Sequence, residues 1–254
     1  MNLGNVGDQL TARRVGLLAA VGTTQVIVGR RPMVGLLASG SELREAGTIL
    51  APGQIYESNR LVLSTLISQA GGIPQSFPLV PDSLTATRAA LETAFEQCDA
   101  VVTTGGVSVG DMDFIKSAFE QMGGRLEFWK VAIRPGRPFV FGRCQEKFLF
   151  GLPGNPVSAV VTFLLLARPA LARWQGAADV DLPTHPGVLA EPLTNHGERR
   201  HFMRVAVDRD GRIRSAGTQT SHSLSSLAAA NGLVDVPPNA TLGAGTTVAV
   251  MRWD

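Results

Sequence analysis

Glycines and acidic residues are concentrated in one short stretch, TTGGVSVGDMDF (103–114), which follows an apolar run and precedes a helical pattern. Gly105 and Gly106 let the backbone turn sharply and expose its N–H groups. A helix that begins near Asp111 offers a positive N-terminus, so the stretch suits a phosphate. Asp111 and Asp113 would then hold a hard divalent cation beside that phosphate. The alternative interpretation is a tight turn whose acids only stabilise the helix dipole.

The spacing of these glycines excludes two common nucleotide sites. It matches neither G-x-G-x-x-G nor G-x-x-x-x-G-K-[ST], so we expect neither a Rossmann dinucleotide site nor a P-loop. The histidines have no metal-ligand spacing, which predicts solvated or capping roles for His185, His196, His201 and His222.

Basic residues cluster in a second stretch, FWKVAIRPGRPFVFG (128–142). Lys130, Arg134 and Arg137 surround a Pro-Gly turn, and the flanking prolines make this segment rigid. Rigid cations bind anions better than flexible ones, so the stretch favours an anion site. A solvated charged face is the alternative interpretation.

A third stretch, GLPGNPVSA (151–159), joins an apolar strand pattern to a long apolar helix pattern. Pro153 fixes φ, Gly154 frees the turn, and Asn155 or Ser158 is expected to cap the helix. A single rigid loop suited to anion binding occurs easily by coincidence, but three such loops on one domain do not. We therefore predict that this loop lies beside the first glycine loop and that the two bind an anion.

These loops need a scaffold, and strand and helix patterns alternate through the first part of the chain. Alternation with short connections predicts a parallel sheet covered on both faces, with its crevice at the carboxyl ends of the strands. Thr11, Ser58 or Asn59, and Asp82 are the expected N-caps, and a bend is expected at Pro169. The predicted strands are 24–29, 32–39, 76–80, 99–106, 126–133, 139–143 and 147–152, and the predicted helices are 10–22, 59–72, 82–98, 114–124 and 155–174.

The pattern changes after Trp174. Residues 175–186 are predicted to be a linker, and short apolar segments separated by Gly, Pro, Asp and Asn follow. The expected domains are therefore 1–174, an α/β domain, and 187–254, a small all-β domain.

Composition excludes several function classes. The chain has 254 residues and a formal net charge of +2, which favours neither nucleic acid nor an anionic membrane. No apolar run reaches the roughly 18 residues that a membrane span needs. Cys98 and Cys144 lack a CxxC spacing, which fits a reducing, cytoplasmic compartment.

The three loop sequences, in this order, resemble those of the molybdopterin molybdenumtransferase family, which includes the C-terminal domain of gephyrin. Other segments extend the resemblance over nearly the whole chain: ASGSEL (38–43), GQIYESNRLVLSTLISQAGG (53–72), LVPDSLTATRAAL (79–91), RRHFMRV (199–205) and SHSLSSLAAANGLVDVP (221–237). The resemblance implies an α/β fold. A three-layer, mostly parallel sheet domain of the molybdopterin-binding kind would be followed by a small β-barrel-like domain.

The resemblance also implies an activity. Such enzymes take adenylylated molybdopterin, release AMP with the help of Mg²⁺, and insert molybdenum from molybdate. They are homodimers with the active site between subunits, and a molybdopterin adenylyltransferase is a candidate partner protein. No nucleic-acid or membrane partner is implied.

Residue roles carry over by motif. Asp113, Asp82 and Lys130 would be catalytic, and Asp113 and Glu42 would hold the metal. The ligand would be bound by Gly105, Gly106, Ser108, Gly110, Arg134, Gly136, Pro153, Gly154, Asn155 and Ser158.

Two departures from the family pattern bear on catalysis. Ser41 stands where the family usually has Asp, so a carboxylate expected near the metal is absent. The family's preceding segment, with an Asn-Ser-Ala-Met-Asp-Gly-Tyr-Ala motif and an inserted β domain, has no counterpart in this sequence. We therefore expect molybdopterin binding with weak molybdenum insertion. A non-catalytic molybdopterin-binding or scaffold module is the alternative function, and a competence-damage-like pyrophosphatase is a third.

Overall fold

The computed structural model describes residues 3–106 and 114–253. Two packed units make up the molecule: a sheet covered by helices, and a smaller all-β unit. In chain order the elements are α1 (Ala12–Ala20), β1 (Met33–Ala38), β2 (Leu43–Arg44), β3 (Ile55–Tyr56), α2 (Asn59–Gln69), β4 (Ile73–Ser76), α3 (Leu84–Gln97), β5 (Ala100–Thr104), α4 (Phe114–Gln121), β6 (Arg125–Trp129), β7 (Ile133–Arg134), β8 (Val140–Cys144), β9 (Lys147–Leu152), α5 (Pro156–Thr162), a π-helical turn (Phe163–Ala167), α6 (Arg168–Trp174), β10 (Thr184–Leu189), β11 (Leu193–Asn195), β12 (Arg200–Val207), β13 (Arg212–Ser215), α7 (Leu224–Ala228), β14 (Gly232–Val236), β15 (Ala240–Leu242) and β16 (Thr247–Met251).

The first unit is built on a six-stranded sheet in the order β4-β1-β5-β9-β8-β6. Neighbouring strands from β4 to β9 are parallel, and β8 alone runs against the others. One face carries α2, α5 and α6, and the other carries α3 and α4, so that two apolar clusters flank the sheet. Apolar runs such as that of β1, buried on both faces, are what such a sheet requires. The predicted three-layer, mostly parallel fold is confirmed.

The second unit is a barrel-like sheet in the order β13-β10-β16-β14-β12. Since β13 pairs with both β10 and β12, the sheet closes on itself around its own core. One strand comes from the first unit: β7 adds to β12 in parallel, with Ile133 opposite Arg200 and Arg134 opposite His201. The stretch 128–142, which we call the basic loop, is thus anchored in the second unit.

One predicted helix cap is wrong. The helix predicted from residue 82 begins at Leu84, because Ser83 rather than Asp82 accepts the backbone N–H of Ala86. The bend expected at Pro169 stays a prediction; a π-helical turn, Phe163–Ala167, precedes this proline. Proline has no N–H to donate to the preceding turn, and the backbone widens there.

Three of the predicted strands differ from the structure. The segment 24–29 forms no strand, and its apolar side chains, including a fully exposed Ile27, face solvent. The strand predicted at 76–80 lies earlier, at β4, and Val80 only makes an isolated bridge to Ser39. The single strand predicted at 126–133 is two strands in different sheets, β6 and β7.

The boundary between the units remains a prediction, although β10 already begins at Thr184, inside the predicted linker. The helical stretch Pro156–Trp174 is long and apolar enough, with a mean hydropathy of 1.4, to cross a membrane. More than half of it, 56%, is buried inside the protein. Its residues pack in the core of the first unit, so it serves as a core helix here.

Candidate functional site

The glycine loops meet at the carboxyl edge of the parallel sheet. β5 and β9 are neighbours in register, with Thr104 opposite Leu152, and the Thr104 hydroxyl donates to Pro153 O at 3.1 Å. Gly105 and Gly106 have φ values of +82° and +66°. The predicted contact between the first and third loops is confirmed for the described residues. We call this place the strand-end crevice.

Close packing explains why glycines stand in this crevice. A Cβ on Gly105 would lie 2.2 Å from Ser39 O, and one on Gly106 would lie 2.7 Å from Ser39 Oγ. A Cβ on Gly154 would lie at an ordinary 3.4 Å from the Gly105 Cα. The Ser39 Oγ is buried and has no hydrogen-bond partner among the described residues. A buried hydroxyl of this kind is available to a ligand that enters the crevice.

Acidic residues lie at the same edge, after β1 and before α3. Asp82 accepts the backbone N–H of Ser41 at 2.9 Å, and the Asp82 N–H donates to Ser41 Oγ at 3.3 Å. The Glu42 carboxylate folds back over Gly40, where a Cβ would lie 2.8 Å from Glu42 Oε2. Mg²⁺ prefers hard oxygen ligands and is commonly held by one or two carboxylates together with substrate phosphates. Asp82 and Glu42 therefore fit Mg²⁺ in chemical type, although residues 3–106 and 114–253 contain no cluster of three metal-ligating side chains.

The basic loop reaches the same edge of the sheet. Trp129 at the end of β6 is in register with Val140, Val140 with Gly151, and Gly151 with Thr103. The loop after Trp129 therefore begins level with the strand-end crevice, about 14 Å away at three strand spacings.

This loop lines a cleft of about 630 Å³. The cleft walls come from both units: Lys130, Val131, Ala132, Arg134, Arg137, Gly197, Glu198 and Arg199. Four cations against one carboxylate give the cleft a positive field that favours anions. We call it the basic cleft.

Lys130 holds an unusual backbone conformation in this cleft. Its φ is +76°, a left-handed value that costs a non-glycine residue roughly 1 kcal/mol or more. The Lys130 N–H donates to Phe139 O at 2.9 Å, and its ammonium lies 4.8 Å from the centre of the Trp129 ring. Such local strain is typical of functional positions, so it supports the prediction that Lys130 contacts the ligand.

The N-terminus of α5 is clasped by the second unit. Asn155 occupies the N-cap position but makes no side-chain cap; its Nδ2 donates to Ser221 Oγ at 3.1 Å. The backbone N–H of Val157 donates to Ser221 O at 3.2 Å. Ser158 does not cap the helix either, because it lies inside α5 with only 4% of its surface exposed. Part of the positive helix end is therefore already occupied by the chain itself.

The predicted site residues fall into three groups. The strand-end crevice brings together Gly105, Gly106, Pro153, Gly154 and Asn155, with Asp82 and Glu42 beside it. The basic cleft gathers Lys130 and Arg134, and Gly136 and the buried Ser158 lie behind it. A Cβ on Gly136 would lie 2.3 Å from Thr162 Cγ2 and 3.7 Å from Ser158 O. Ser108, Gly110 and Asp113, like Asp111, lie outside the described residues. The binding and catalytic roles of all these residues remain predictions.

Sequence reasoning missed several polar residues that the fold brings to the site. Asn59 lies at the start of α2 and contacts both glycine loops, while Arg199 lines the basic cleft. The available signal for Asn59 was a second capping-type residue, directly after the N-cap Ser58, at the first position of the helix. Arg199 was visible only as part of a basic patch in RRHFMRV.

Two buried cationic or titratable groups of β12 also escaped prediction. His201 is neither solvated nor capping: it is 2% exposed, and neither ring nitrogen has a partner among the described residues. Burial, followed by the charges of Arg134, Arg204 and Arg199, lowers its pKa to about 4. Arg204 is fully buried, and burial lowers its pKa to about 10. Its guanidinium donates to Thr218 O, Thr220 O and Ser226 Oγ, which fixes the segment that ends in the Ser221 clasp.

The sequence of this chain matches two family models. A model described as a probable molybdopterin binding domain matches residues 35–173, and one described as the MoeA C-terminal region (domain IV) matches residues 186–253.

Individual proteins are similar over the same extent. The molybdopterin molybdenumtransferase of Haemophilus influenzae is 38% identical over 250 residues, covering 96% of this chain and 62% of that protein. The molybdopterin molybdenumtransferase of Bacillus subtilis is 34% identical over 250 residues, covering 96% and 58%. Among solved structures, the molybdopterin biosynthesis MoeA protein of Pyrococcus horikoshii has a TM-score of 0.86 at 30% identity, covering 99% of this chain and 62% of that one. The chain thus spans about three fifths of the length of these relatives.

Proposed function

Since this chain belongs to the molybdopterin molybdenumtransferase family, we propose that it binds adenylylated molybdopterin and acts in molybdenum cofactor biosynthesis. The reaction would release AMP and insert molybdenum, supplied as molybdate, into the dithiolene of the pterin. The observation that carries this proposal is the strand-end crevice. Two glycine loops lie in contact there, level with a basic cleft on the same sheet edge.

Each part of the edge has a proposed task. The glycine loops hold phosphate through backbone N–H groups, since side chains are excluded from their contact with Ser39. Lys130 and Arg134 stabilise the charge on the phosphates when water adds to phosphorus and the P–O bond to AMP breaks. Asp82 and Glu42, with Asp113, would hold Mg²⁺, which when bound neutralises phosphate charge.

Ser41 favours a second candidate function, a non-catalytic molybdopterin-binding or scaffold module. Both its N–H and its hydroxyl engage Asp82, and a hydroxyl does not supply an ionised metal ligand. Losing one positioned charge at such a centre costs on the order of 10²–10³ in rate. We propose an enzyme with weak turnover, which works as a homodimer in the cytoplasm and receives its substrate from an adenylyltransferase.

The decisive experiment measures binding and turnover separately. We expect the chain to bind molybdopterin and to release AMP from adenylylated molybdopterin slowly in the presence of Mg²⁺ and molybdate. Ser41→Asp, which places a carboxylate beside Asp82, should raise AMP release and leave pterin affinity within about two-fold. Binding with no AMP release by either form would favour the scaffold, and no binding at all would contradict both functions.

A further inference from the structure

We infer that Asn59 is a positioning residue that sets the orientation of two peptide groups in the strand-end crevice; this inference rests on the proposed function. Asn59 lies at the start of α2 and is only 8% exposed. It does not cap its own helix. Its Nδ2 donates to Thr104 Oγ1 and to Gly154 O, each at 2.7 Å.

These bonds use the full donor capacity of one amide group. An asparagine Nδ2 carries two hydrogens, and one goes to each glycine loop. The Thr104 hydroxyl, which accepts from Asn59, donates in turn to Pro153 O at 3.1 Å. Two successive carbonyls, those of Pro153 and Gly154, are therefore held by one buried network that joins β5, β9 and α2.

Holding a carbonyl also directs the following N–H. In a planar trans peptide the C=O and the next N–H point in opposite directions. The N–H groups of Gly154 and Asn155 therefore point away from the Asn59 network. Two successive N–H groups that share one side form a concave, anion-binding arrangement of the backbone.

We call the hydrogen bonds from Asn59 and Thr104 to these two carbonyls the Asn59 clamp, and the conformational freedom of Gly154 makes it necessary. It is exposed, and a Cβ at this position would meet nothing closer than 3.4 Å, so local packing does not lock its peptides. Without a donor at Asn59, the peptide between Gly154 and Asn155 is free to rotate and to present its carbonyl to the ligand. An oxygen in that place repels a phosphate, whereas an N–H attracts it.

The test replaces the amide without changing its size. Asn59→Asp removes both donor hydrogens and sets a carboxylate oxygen against Gly154 O. The matched control is Asn231→Asp, because the Asn231 side chain bonds only the Val207 backbone, in the second unit, through the pair of bonds at 2.8 and 3.0 Å. A second pair, Thr104→Val and Thr104→Ser, removes or keeps the hydroxyl of the network.

Two measurements test separately whether Asn59 orders the loop and whether this order affects molybdopterin binding. Amide hydrogen exchange of the free protein, over peptides covering 151–158, should speed up in Asn59→Asp and Thr104→Val but not in Asn231→Asp or Thr104→Ser. Affinity for molybdopterin should fall about ten-fold or more in the first two variants, since two buried hydrogen bonds are lost, and stay unchanged in the controls.

The outcomes are distinguishable. Unchanged exchange in Asn59→Asp overturns the clamp, and faster exchange with unchanged molybdopterin affinity overturns its role in binding. If the unaltered chain binds no molybdopterin, the proposed function and the ligand role fail together, while the exchange data still decide whether Asn59 orients the loop.

Discussion

Replacing Gly105 by alanine isolates the cost of a side chain at the floor of the strand-end crevice. The residue has a φ of +82°, and an alanine in the left-handed region loses roughly 1–2 kcal/mol. The added Cβ would also lie 2.2 Å from Ser39 O, more than 1 Å inside an ordinary contact of about 3.4 Å. Ser39 is not free to withdraw, because its N–H donates to Thr104 O at 3.0 Å.

The two costs add. Overpacking against fixed backbone costs about 1–3 kcal/mol, so Gly105→Ala should destabilise the protein by about 2–5 kcal/mol. For a chain of this size that lowers Tm by roughly 5–15 °C, measured by calorimetry or by thermal denaturation.

Two other glycines serve as controls for the separate terms. Gly123 has a φ of +80° with nothing within 4 Å of its Cβ position, so Gly123→Ala carries the backbone term alone. Gly154→Ala adds a methyl group at an ordinary 3.4 Å contact. Both should cost less than Gly105→Ala. Equal losses of Tm for Gly105→Ala and Gly123→Ala would refute the close approach of Ser39 O.

Three further predictions concern charge. Burial lowers the pKa of His201 in the folded protein to about 4, below its ordinary 6.5. The unfolded chain therefore binds the extra proton between these pH values, and the free energy of unfolding falls by up to about 3 kcal/mol as pH drops from 6.5 towards 4. In urea unfolding, His201→Phe should lose most of this pH dependence. Arg204→Met removes the guanidinium from the buried Ser226 hydroxyl and from two partly buried carbonyls, those of Thr218 and Thr220, and should destabilise by about 2–4 kcal/mol. Arg200→Met, at an exposed ion pair, should cost less than about 1 kcal/mol; equal effects in thermal unfolding would contradict the buried role of Arg204. Lys130→Ala should weaken molybdopterin binding only up to about five-fold, and less at high salt, because Lys130 is exposed; a titration at two ionic strengths checks this.

Local patterns in the sequence were sufficient for the elements that carry their own signals. Buried apolar runs such as 99–106 and double-glycine stops predicted strands and helices, and family resemblance predicted how they assemble. Where two neighbouring residues carry the same signal, the sequence does not decide between them. Asp82 and Ser83 are both good N-caps, and Ser83 caps α3 because the Asp82 carboxylate instead accepts the N–H of Ser41, 41 residues away. The role of Asn59 depends on partners 45 and 95 residues away. No periodicity or propensity encodes such pairings, because they arise only when the strands are in register.

The pairing of β7 with β12 limits how this molecule can be divided. A two-residue strand, β7, is a structural member of the barrel-like sheet, although about 50 residues, including two strands of the first unit, separate it from β10, where the barrel begins. A cut in the connection after Trp174 would leave β12 with an unpaired edge, and each half would lack part of the wall of the basic cleft. Gene fusions and chimaeras that exchange the barrel therefore need to keep Ile133 and Arg134 compatible with their β12 partners, Arg200 and His201. The barrel-like sheet is therefore discontinuous in sequence, and a substitution in β7 or in the part of β12 that pairs with it affects both units.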